Sequence, residues 1–177
     1  MDTKVKNGVN VRSIVTASLM VALTFLATMC INIRLPIAAN GGLVHLGNVP
    51  LIVAAIIFGK KQGAIAGAFG MALFDLVSGW TLWAPFTFVI VGTMGYLIGA
   101  ICENKKNIGA WYVLAMVVAV AVKIAGYYVA EAIIFGNWLV PAASIPGNIV
   151  QVGAAAIVSL PLVLALRRVV SRRGVIQ

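Results

Sequence analysis

Long apolar runs that alternate with short basic or turn-forming connections constrain this chain more than any other feature. The runs occupy residues 11–31, 43–59, 62–79, 83–102, 110–135 and 146–168. A helix that spans a bilayer needs about 20 mostly apolar residues, because backbone polar groups in hydrocarbon must be hydrogen-bonded within the protein. Only 10% of the residues are charged, against roughly 25% in soluble domains. The pattern predicts one all-α integral membrane domain over residues 1–177, with six transmembrane helices.

The basic residues predict the orientation of these helices. Cytoplasmic connections are enriched in Lys and Arg. With six spans and a cytoplasmic N-terminus, all but two of the basic residues considered fall inside: Lys4, Lys6, Arg12, Lys60, Lys61, Lys105, Lys106, Arg167, Arg168, Arg172 and Arg173. Arg34 would lie outside and Lys123 within a span. We therefore expect both termini to be cytoplasmic, and we attribute the net charge of +9 to topology rather than to nucleic-acid binding.

Three ionisable residues lie inside predicted spans, namely Asp75, Lys123 and Glu131. Such residues are costly in a bilayer, so each is a candidate for function. Lys123, Tyr127 and Glu131 follow at intervals of four and share a broad helical face. Lys123 and Glu131 would be about 12 Å apart along the axis, too far for a direct ion pair. We expect a ligand or Asp75 to partner these charges.

Further polar and aromatic side chains are predicted to gather at the outer ends of the spans, whereas the inner halves are almost purely apolar. This distribution suggests a pocket that opens outward beneath the long first outer connection, residues 32–48. The remaining candidate ligand contacts are His45, Asn48, Trp80, Trp83, Asn148 and Gln151. Alternative roles stay open, because amides also join helices, tryptophans also anchor at membrane boundaries, and a loop histidine is often simply solvated.

Several kinds of chemistry are missing from the sequence. It has no phosphate-binding Gly-Lys-Ser/Thr motif, no His/Glu metal cluster and no nucleophile with an evident base. We therefore expect neither an enzyme nor a cofactor-binding protein. The absence of a convincing internal repeat also counts against a carrier that works alone on an ion gradient. A membrane-embedded binding subunit and a scaffold subunit remain.

Small residues recur at helical spacing in three spans. Gly63 and Gly67 in the third span, and Gly95 and Gly99 in the fourth, predict close packing between helices. In the first span Ser18 and Ala22 lie four residues apart. This pair fits either internal packing or the docking of a membrane partner.

Several of these features together resemble the substrate-binding S component of energy-coupling factor (ECF) vitamin transporters. The resemblance covers most of the chain. It is carried by Ser18 and Ala22, by the long first outer connection, and by the sequences His45-Leu-Gly-Asn-Val-Pro, Gly59-Lys-Lys-Gln-Gly-Ala-Ile-Ala-Gly, Phe74-Asp75-Leu and Trp80 to Phe86. Within that family the chain looks most like the branch associated with hydroxymethylpyrimidine or pyridoxine, close to the riboflavin-type grouping.

The resemblance implies a protein of a prokaryotic plasma membrane that captures a vitamin or precursor from outside. It implies no catalysis and no cofactor on this chain, because the partners, a membrane coupling protein (T component) and two ATPase subunits, use the ATP. Ser18 and Ala22 would then dock the coupling protein, and the S component would topple to release its cargo inward. Riboflavin or pantothenate as substrate, or a scaffold that does not transport, are the alternatives.

Overall fold

The computed structural model describes residues 11–34 and 43–172 and consists mainly of helices. The elements run in the order α1 (Val11–Cys30), β1 (Asn32–Arg34), β2 (Leu43–His45), α2 (Asn48–Ile57), α3 (Lys60–Val77), α4 (Ala84–Cys102), α5 (Gly109–Phe135), a short 3-10 helix (Val140–Ser144) and α6 (Ile145–Arg172). The prediction of an all-α fold is confirmed, apart from the small two-stranded sheet.

Four stretches of the described residues are long and apolar enough to cross a membrane. They are α1, α4, α5 and the segment Val140–Val170 that contains most of α6. Helix α2 has only 10 residues. Helix α3 has 18, but Lys60, Lys61 and Asp75 interrupt its apolar character. Each of the six predicted runs thus corresponds to one of these helices. Helix α2 differs from the other helices in its length, and helix α3 differs in its polarity.

The second apolar run contains two elements rather than one helix. The predicted span started at residue 43, whereas Leu43–His45 pairs antiparallel with Asn32–Arg34, with His45 opposite Asn32. The helix starts only at Asn48. Pro50 lies in its first turn, where the missing N–H removes no helical hydrogen bond. Hydropathy alone could not separate a short apolar strand from the start of an apolar helix.

Helices α3 and α4 approach each other more closely than side chains would allow. A Cβ atom added to Gly95 would lie 2.3 Å from the Gly63 carbonyl oxygen, and one added to Gly99 would lie 2.4 Å from the Lys60 Cα. A Cβ on Gly67 would lie 2.7 Å from the Val91 carbonyl oxygen. The predicted packing through small residues is therefore present, and it produces a glycine seam between these two helices.

Helix α1 is the most loosely embedded of the long helices. Its buried residues are Met20, Thr24 and Thr28, and it packs against α2 and α3. At one end Gln62 of α3 donates hydrogen bonds to the Ser13 carbonyl and hydroxyl oxygens, at 3.1 and 2.8 Å. Ser18 and Ala22 are both exposed. They therefore do not pack inside the chain, which leaves their face of α1 accessible.

The half of the bundle that carries the basic connections is less purely apolar than the sequence suggested. Tyr112 of α5 and Ser159 of α6 have their hydroxyl oxygens 2.7 Å apart, and the Tyr112 hydroxyl donates to the Ala156 carbonyl oxygen at 2.7 Å. Both side chains are buried. These two polar side chains are thus paired with each other.

A substitution in the glycine seam tests the packing. Gly95→Ala should lower the thermal unfolding midpoint of the detergent-purified protein, since overpacking a filled interior costs about 1–3 kcal/mol. The matched control is Gly153→Ala in α6, where an added Cβ meets nothing within 4 Å. The control should be neutral or slightly stabilising, because Ala favours helices over Gly. Equal midpoints for both variants would contradict the packing described.

Candidate functional site

A cavity of about 110 Å³ lies at the end of the bundle that carries the β-hairpin. Its walls come from β2, the end of α3, the α3–α4 connection, the start of α4, the second half of α5 and the start of α6. The lining residues are His45, Phe74, Asp75, Trp80, Trp83, Thr87, Lys123, Tyr127, Glu131, Ser144, Gly147, Asn148 and Gln151. Distant parts of the sequence thus converge on one mixed polar and aromatic site.

Nine of the ten residues predicted as ligand contacts line this cavity. They are His45, Asp75, Trp80, Trp83, Lys123, Tyr127, Glu131, Asn148 and Gln151. Asn48 does not line it. Its side chain is fully buried at the start of α2, and neither its amide nitrogen nor its amide oxygen has a hydrogen-bond partner among the described residues. The structure therefore separates Asn48 from the residues that face the cavity.

Four lining residues were missing from the sequence-based prediction: Phe74, Thr87, Ser144 and Gly147. Thr87 could have been found, because it lies one helical turn after Trp83. Phe74 is the neighbour of Asp75. Ser144 and Gly147 flank the short junction between the 3-10 helix and α6. No periodic pattern in the sequence marks such a junction.

Lys123 is the most deeply placed polar group of the site, with 2% of its surface exposed. Its amino group donates a hydrogen bond to the side-chain oxygen of Gln151. The sequence pointed to a ligand or Asp75 as its partner, whereas the observed hydrogen bond joins α5 to α6. Lys123 Nζ also lies 5.8 Å from the centre of the Tyr127 ring, within the range of a cation–π contact.

Glu131 belongs to a second polar connection between α5 and the start of α6. The Ser144 hydroxyl donates to Glu131 Oε2 at 2.6 Å. The Asn148 amide in turn donates to the Ser144 carbonyl oxygen at 3.1 Å. Glu131 is 5% exposed. Ser144 therefore positions both the carboxylate and the amide that border the cavity.

Aromatic rings form one wall of the cavity. The ring centre of Trp83 lies 6.5 Å from that of Trp80, 6.5 Å from that of Tyr127 and 6.1 Å from that of Phe135. The hydroxyl groups of Thr87 and Tyr127 are 3.1 Å apart. This wall offers flat apolar surface on which a planar ring can stack.

Two buried atoms at the site lack hydrogen-bond partners among the described residues: Oδ2 of Asp75 and Nδ1 of His45. Burial, helped by the charge of Lys123, holds the pKa of His45 well below its ordinary value of 6.5. The His45 ring is therefore neutral near pH 7, and one of its nitrogens can accept a hydrogen bond. Buried polar atoms usually have partners, so these two mark places where a bound molecule could supply hydrogen-bond donors.

The fold and the polar, aromatic cavity together define a membrane-embedded solute-binding subunit. Residues 8–168 match the family described as ECF-type riboflavin transporter, S component. The chain belongs to this family of transporter S components. The fold agrees, since a solved structure titled "Structure and mechanism of the S component of a bacterial ECF transporter" superimposes with a TM-score of 0.70, covering 90% of this chain and 97% of the other at 21% identity.

Two relatives are similar in sequence. The thiamine precursor transporter HmpT of Lactococcus lactis subsp. cremoris (strain MG1363) is 29% identical over 173 residues, which cover 98% of this chain and 96% of HmpT. An uncharacterized protein encoded in the gap 3′ region of Pyrococcus woesei is 34% identical over 104 residues, or 59% of this chain and 69% of that protein. The family match, the similarity to HmpT and the agreement in fold confirm the resemblance to an ECF S component of the hydroxymethylpyrimidine-like type.

The Lys123–Gln151 contact can be tested by removing one or both partners. Gln151→Leu should lower the thermal unfolding midpoint, because losing a hydrogen bond to a charged group costs about 1.5–3 kcal/mol. The double variant Lys123→Met/Gln151→Leu should recover much of this loss of stability, because it removes the buried amino group together with its hydrogen-bond acceptor. Equal losses in the single and double variants would mean that the contact does not stabilise the α5–α6 pair.

Proposed function

We propose that this protein is the substrate-binding subunit of an ECF transporter that imports a small thiamine precursor, with hydroxymethylpyrimidine as the favoured cargo. It lies in the plasma membrane of a prokaryote with six helices in the bilayer and both termini in the cytoplasm. The short α2 is shielded by its neighbours, since most of its residues are buried in the bundle, and Lys60 and Lys61 lie in the first turn of α3, on the side of the basic connections. The cavity then opens outward and the basic connections face inward.

The observation that carries the choice of cargo is the similarity to a thiamine precursor transporter along nearly the whole of both chains. The size of the cavity agrees with it. A volume of about 110 Å³ suits a single substituted ring, because cavities for larger, drug-sized ligands measure roughly 300–1,000 Å³.

The hydrogen-bonding character of the cavity gives independent support. Asp75 Oδ2 and His45 Nδ1 are buried without hydrogen-bond partners in the part of the chain that the structure describes, and Glu131 adds a second carboxylate. Hydroxymethylpyrimidine carries an amino group and a hydroxyl group, which together supply three hydrogen-bond donors. A neutral ring rich in donors matches a cavity rich in acceptors.

We assign roles on this basis. Asp75 accepts from the exocyclic amine, and Trp83 with Tyr127 stacks against the ring. The amides of Asn148 and Gln151 meet the ring nitrogens, and Trp80, Glu131 and His45 close the remaining sides. Lys123 holds Gln151 in place through its hydrogen bond, and Asn48, which does not line the cavity, does not touch the ligand.

Import requires partners that bring ATP hydrolysis. We propose that a membrane coupling protein and two ATPase subunits form the rest of the transporter. The exposed face of α1 around Ser18 and Ala22 is the docking site for the coupling protein, because small residues allow two helices to approach closely in lipid.

Riboflavin is the second candidate cargo, because the matching family carries its name. It is a three-ring compound with a long hydroxylated chain, so the cavity would have to widen considerably to hold it. Pyridoxine, a single ring with a phenolic hydroxyl, has a suitable size but lacks the amine next to a ring nitrogen that Asp75 would recognise.

Ligand titration tests the choice of cargo. Intrinsic tryptophan fluorescence of the purified protein should be quenched saturably by hydroxymethylpyrimidine, because Trp80 and Trp83 line the cavity. The analogue without the amino group, pyridoxine, pantothenate and riboflavin should bind at least about tenfold more weakly, since losing a hydrogen bond to a buried charged acceptor costs more than about 1.4 kcal/mol.

The Asp75→Asn variant sharpens this test, since it keeps the side-chain shape and removes the charge. It should weaken hydroxymethylpyrimidine and leave the affinity for the analogue without the amine almost unchanged. Tighter binding of riboflavin than of hydroxymethylpyrimidine would refute the assignment of cargo. If no compound quenches the tryptophan fluorescence, a scaffold role is favoured.

The docking role of α1 makes a separate prediction. Ala22→Leu should abolish uptake by the complete transporter while leaving tryptophan quenching by the ligand intact, because the substitution fills the groove that a partner helix needs. Ala165→Leu is the matched control, because Ala165 is equally exposed but lies on α6. Uptake lost equally in both variants, or lost in neither, would place the docking surface elsewhere.

A further inference from the structure

The wall of the cavity at His45 is attached to the last turn of α1, or to the residue that follows it, by three separate contacts. His45 stands opposite Asn32 in the β-hairpin. The Asn32 side-chain amide donates to the carbonyl oxygens of Thr28 and Met29, at 3.3 and 3.0 Å, and so caps the end of α1. Leu46, the residue after His45, donates its backbone N–H to the Ile31 carbonyl oxygen at 3.2 Å.

The third contact is steric and involves Gly47. A Cβ atom at Gly47 would lie 1.9 Å from the Thr28 hydroxyl oxygen and 3.1 Å from His45 Nδ1. Gly47 has φ of −58° and ψ of −26°, a conformation that alanine adopts without strain. Glycine is therefore required here by the closeness of α1 and not by the backbone conformation.

Helix α1 is suited to respond to this contact, because it is exposed along most of its length. Its attachments before the last turn include the cluster of Met20 with Ala54 and Ala66, the close approach of Thr24 to Gly70 and the hydrogen bonds of Gln62 to Ser13. The last turn, residues 27–30, is contacted by the hairpin through Asn32 and by Gly47.

We propose that Thr28 and Gly47 are positioning residues: their contact fixes the His45 wall of the cavity to the last turn of α1, so that filling the cavity changes the position of that turn. The part that concerns filling rests on the proposed function. The contact between Gly47 and Thr28 is observed in the structure and does not rest on the proposed function. Binding of a ligand in the cavity would thereby change the position of the end of α1, a helix whose exposed face is accessible to a partner.

Cys30 offers a natural probe for this coupling. It is the last residue of α1 and is exposed, whereas Cys102 is buried with its sulfur 3.9 Å from the Trp111 carbonyl oxygen. A small environment-sensitive fluorophore on Cys30 therefore reports on the turn that contains Thr28. A Cys30→Ser protein should take up no label, which verifies the site of labelling.

The critical variant is Gly47→Ala, and the matched control is Gly153→Ala, where the added methyl group has open space. Without ligand, Gly47→Ala should shift the emission of the Cys30 label and Gly153→Ala should not. Gly47→Ala/Thr28→Ala removes the obstructing hydroxyl group and should return the emission toward that of the parent protein.

Titration with hydroxymethylpyrimidine tests the coupling itself. In the parent protein the label and the tryptophans should respond with the same midpoint. Gly47→Ala should lose the response of the label and bind at least about tenfold more weakly, with partial recovery in the double variant. Thr28→Ala alone loosens the contact without adding atoms, so it should bind ligand while its label responds less.

Three outcomes would overturn the inference: a ligand-free emission that Gly47→Ala leaves unchanged, a double variant that recovers nothing, or a label in Thr28→Ala that responds fully. If Gly47→Ala does not fold, as judged by size-exclusion chromatography, the response of the Cys30 label in the Thr28→Ala protein decides whether the inference holds. If the parent protein binds no hydroxymethylpyrimidine, the proposed cargo fails on its own, and the ligand-free emission of the glycine variants still decides whether the contact exists.

Discussion

Burial of the Lys123 amino group is the constraint on which the architecture of the site depends. A basic group inside an apolar helix bundle is unfavourable unless polar partners surround it. Gln151 supplies the hydrogen bond from α6, and the carboxylates of Asp75 and Glu131 stand around the same cavity. The polar residues of α3, α5 and α6 therefore line one cavity. The mixed charge of this cavity follows from the need to solvate one buried amine.

The two ends of the bundle differ in how completely their polar groups are paired. At the basic end, Lys60 pairs with Glu103 at 2.7 Å and Arg167 donates to the Lys105 carbonyl oxygen at 2.6 Å, so polar groups there are largely paired with each other. At the cavity end, Asp75 and His45 retain buried atoms without partners among the described residues. Unsatisfied groups cost stability, and their concentration at one end is typical of a site that a ligand completes.

Much of this fold could be predicted from hydropathy, because five of the six apolar runs end within a few residues of the observed helices. The second run could not, since hydropathy does not separate the short strand that ends at His45 from the helix that begins at Asn48. Asp75, Lys123 and Glu131 were predictable because an ionisable group in a bilayer is rare enough to stand out. The other predicted cavity residues were found because polar and aromatic side chains gather at one end of the predicted spans. The partner of Lys123 was not, since choosing between Asp75 and Gln151 requires knowing how α5 rotates against α6. Ser144 was missed because its role arises at a helix junction.

The glycine seam between α3 and α4 also bears on how selective the cavity can be. Two helices locked backbone to backbone move as one rigid body, and that body carries Asp75, Trp83 and Thr87. These three side chains are thus held in a fixed spatial relationship, so this half of the cavity keeps a fixed shape. Any tolerance for differently shaped molecules must come from the opposite half. There the hairpin is held by hydrogen bonds to the end of α1 and to Ile31, and the junction before α6 by the hydrogen bond from Ser144 to Glu131. Relatives with the same seam could therefore acquire new cargoes by changing the hairpin and α6 alone, without disturbing the packing that keeps the protein folded.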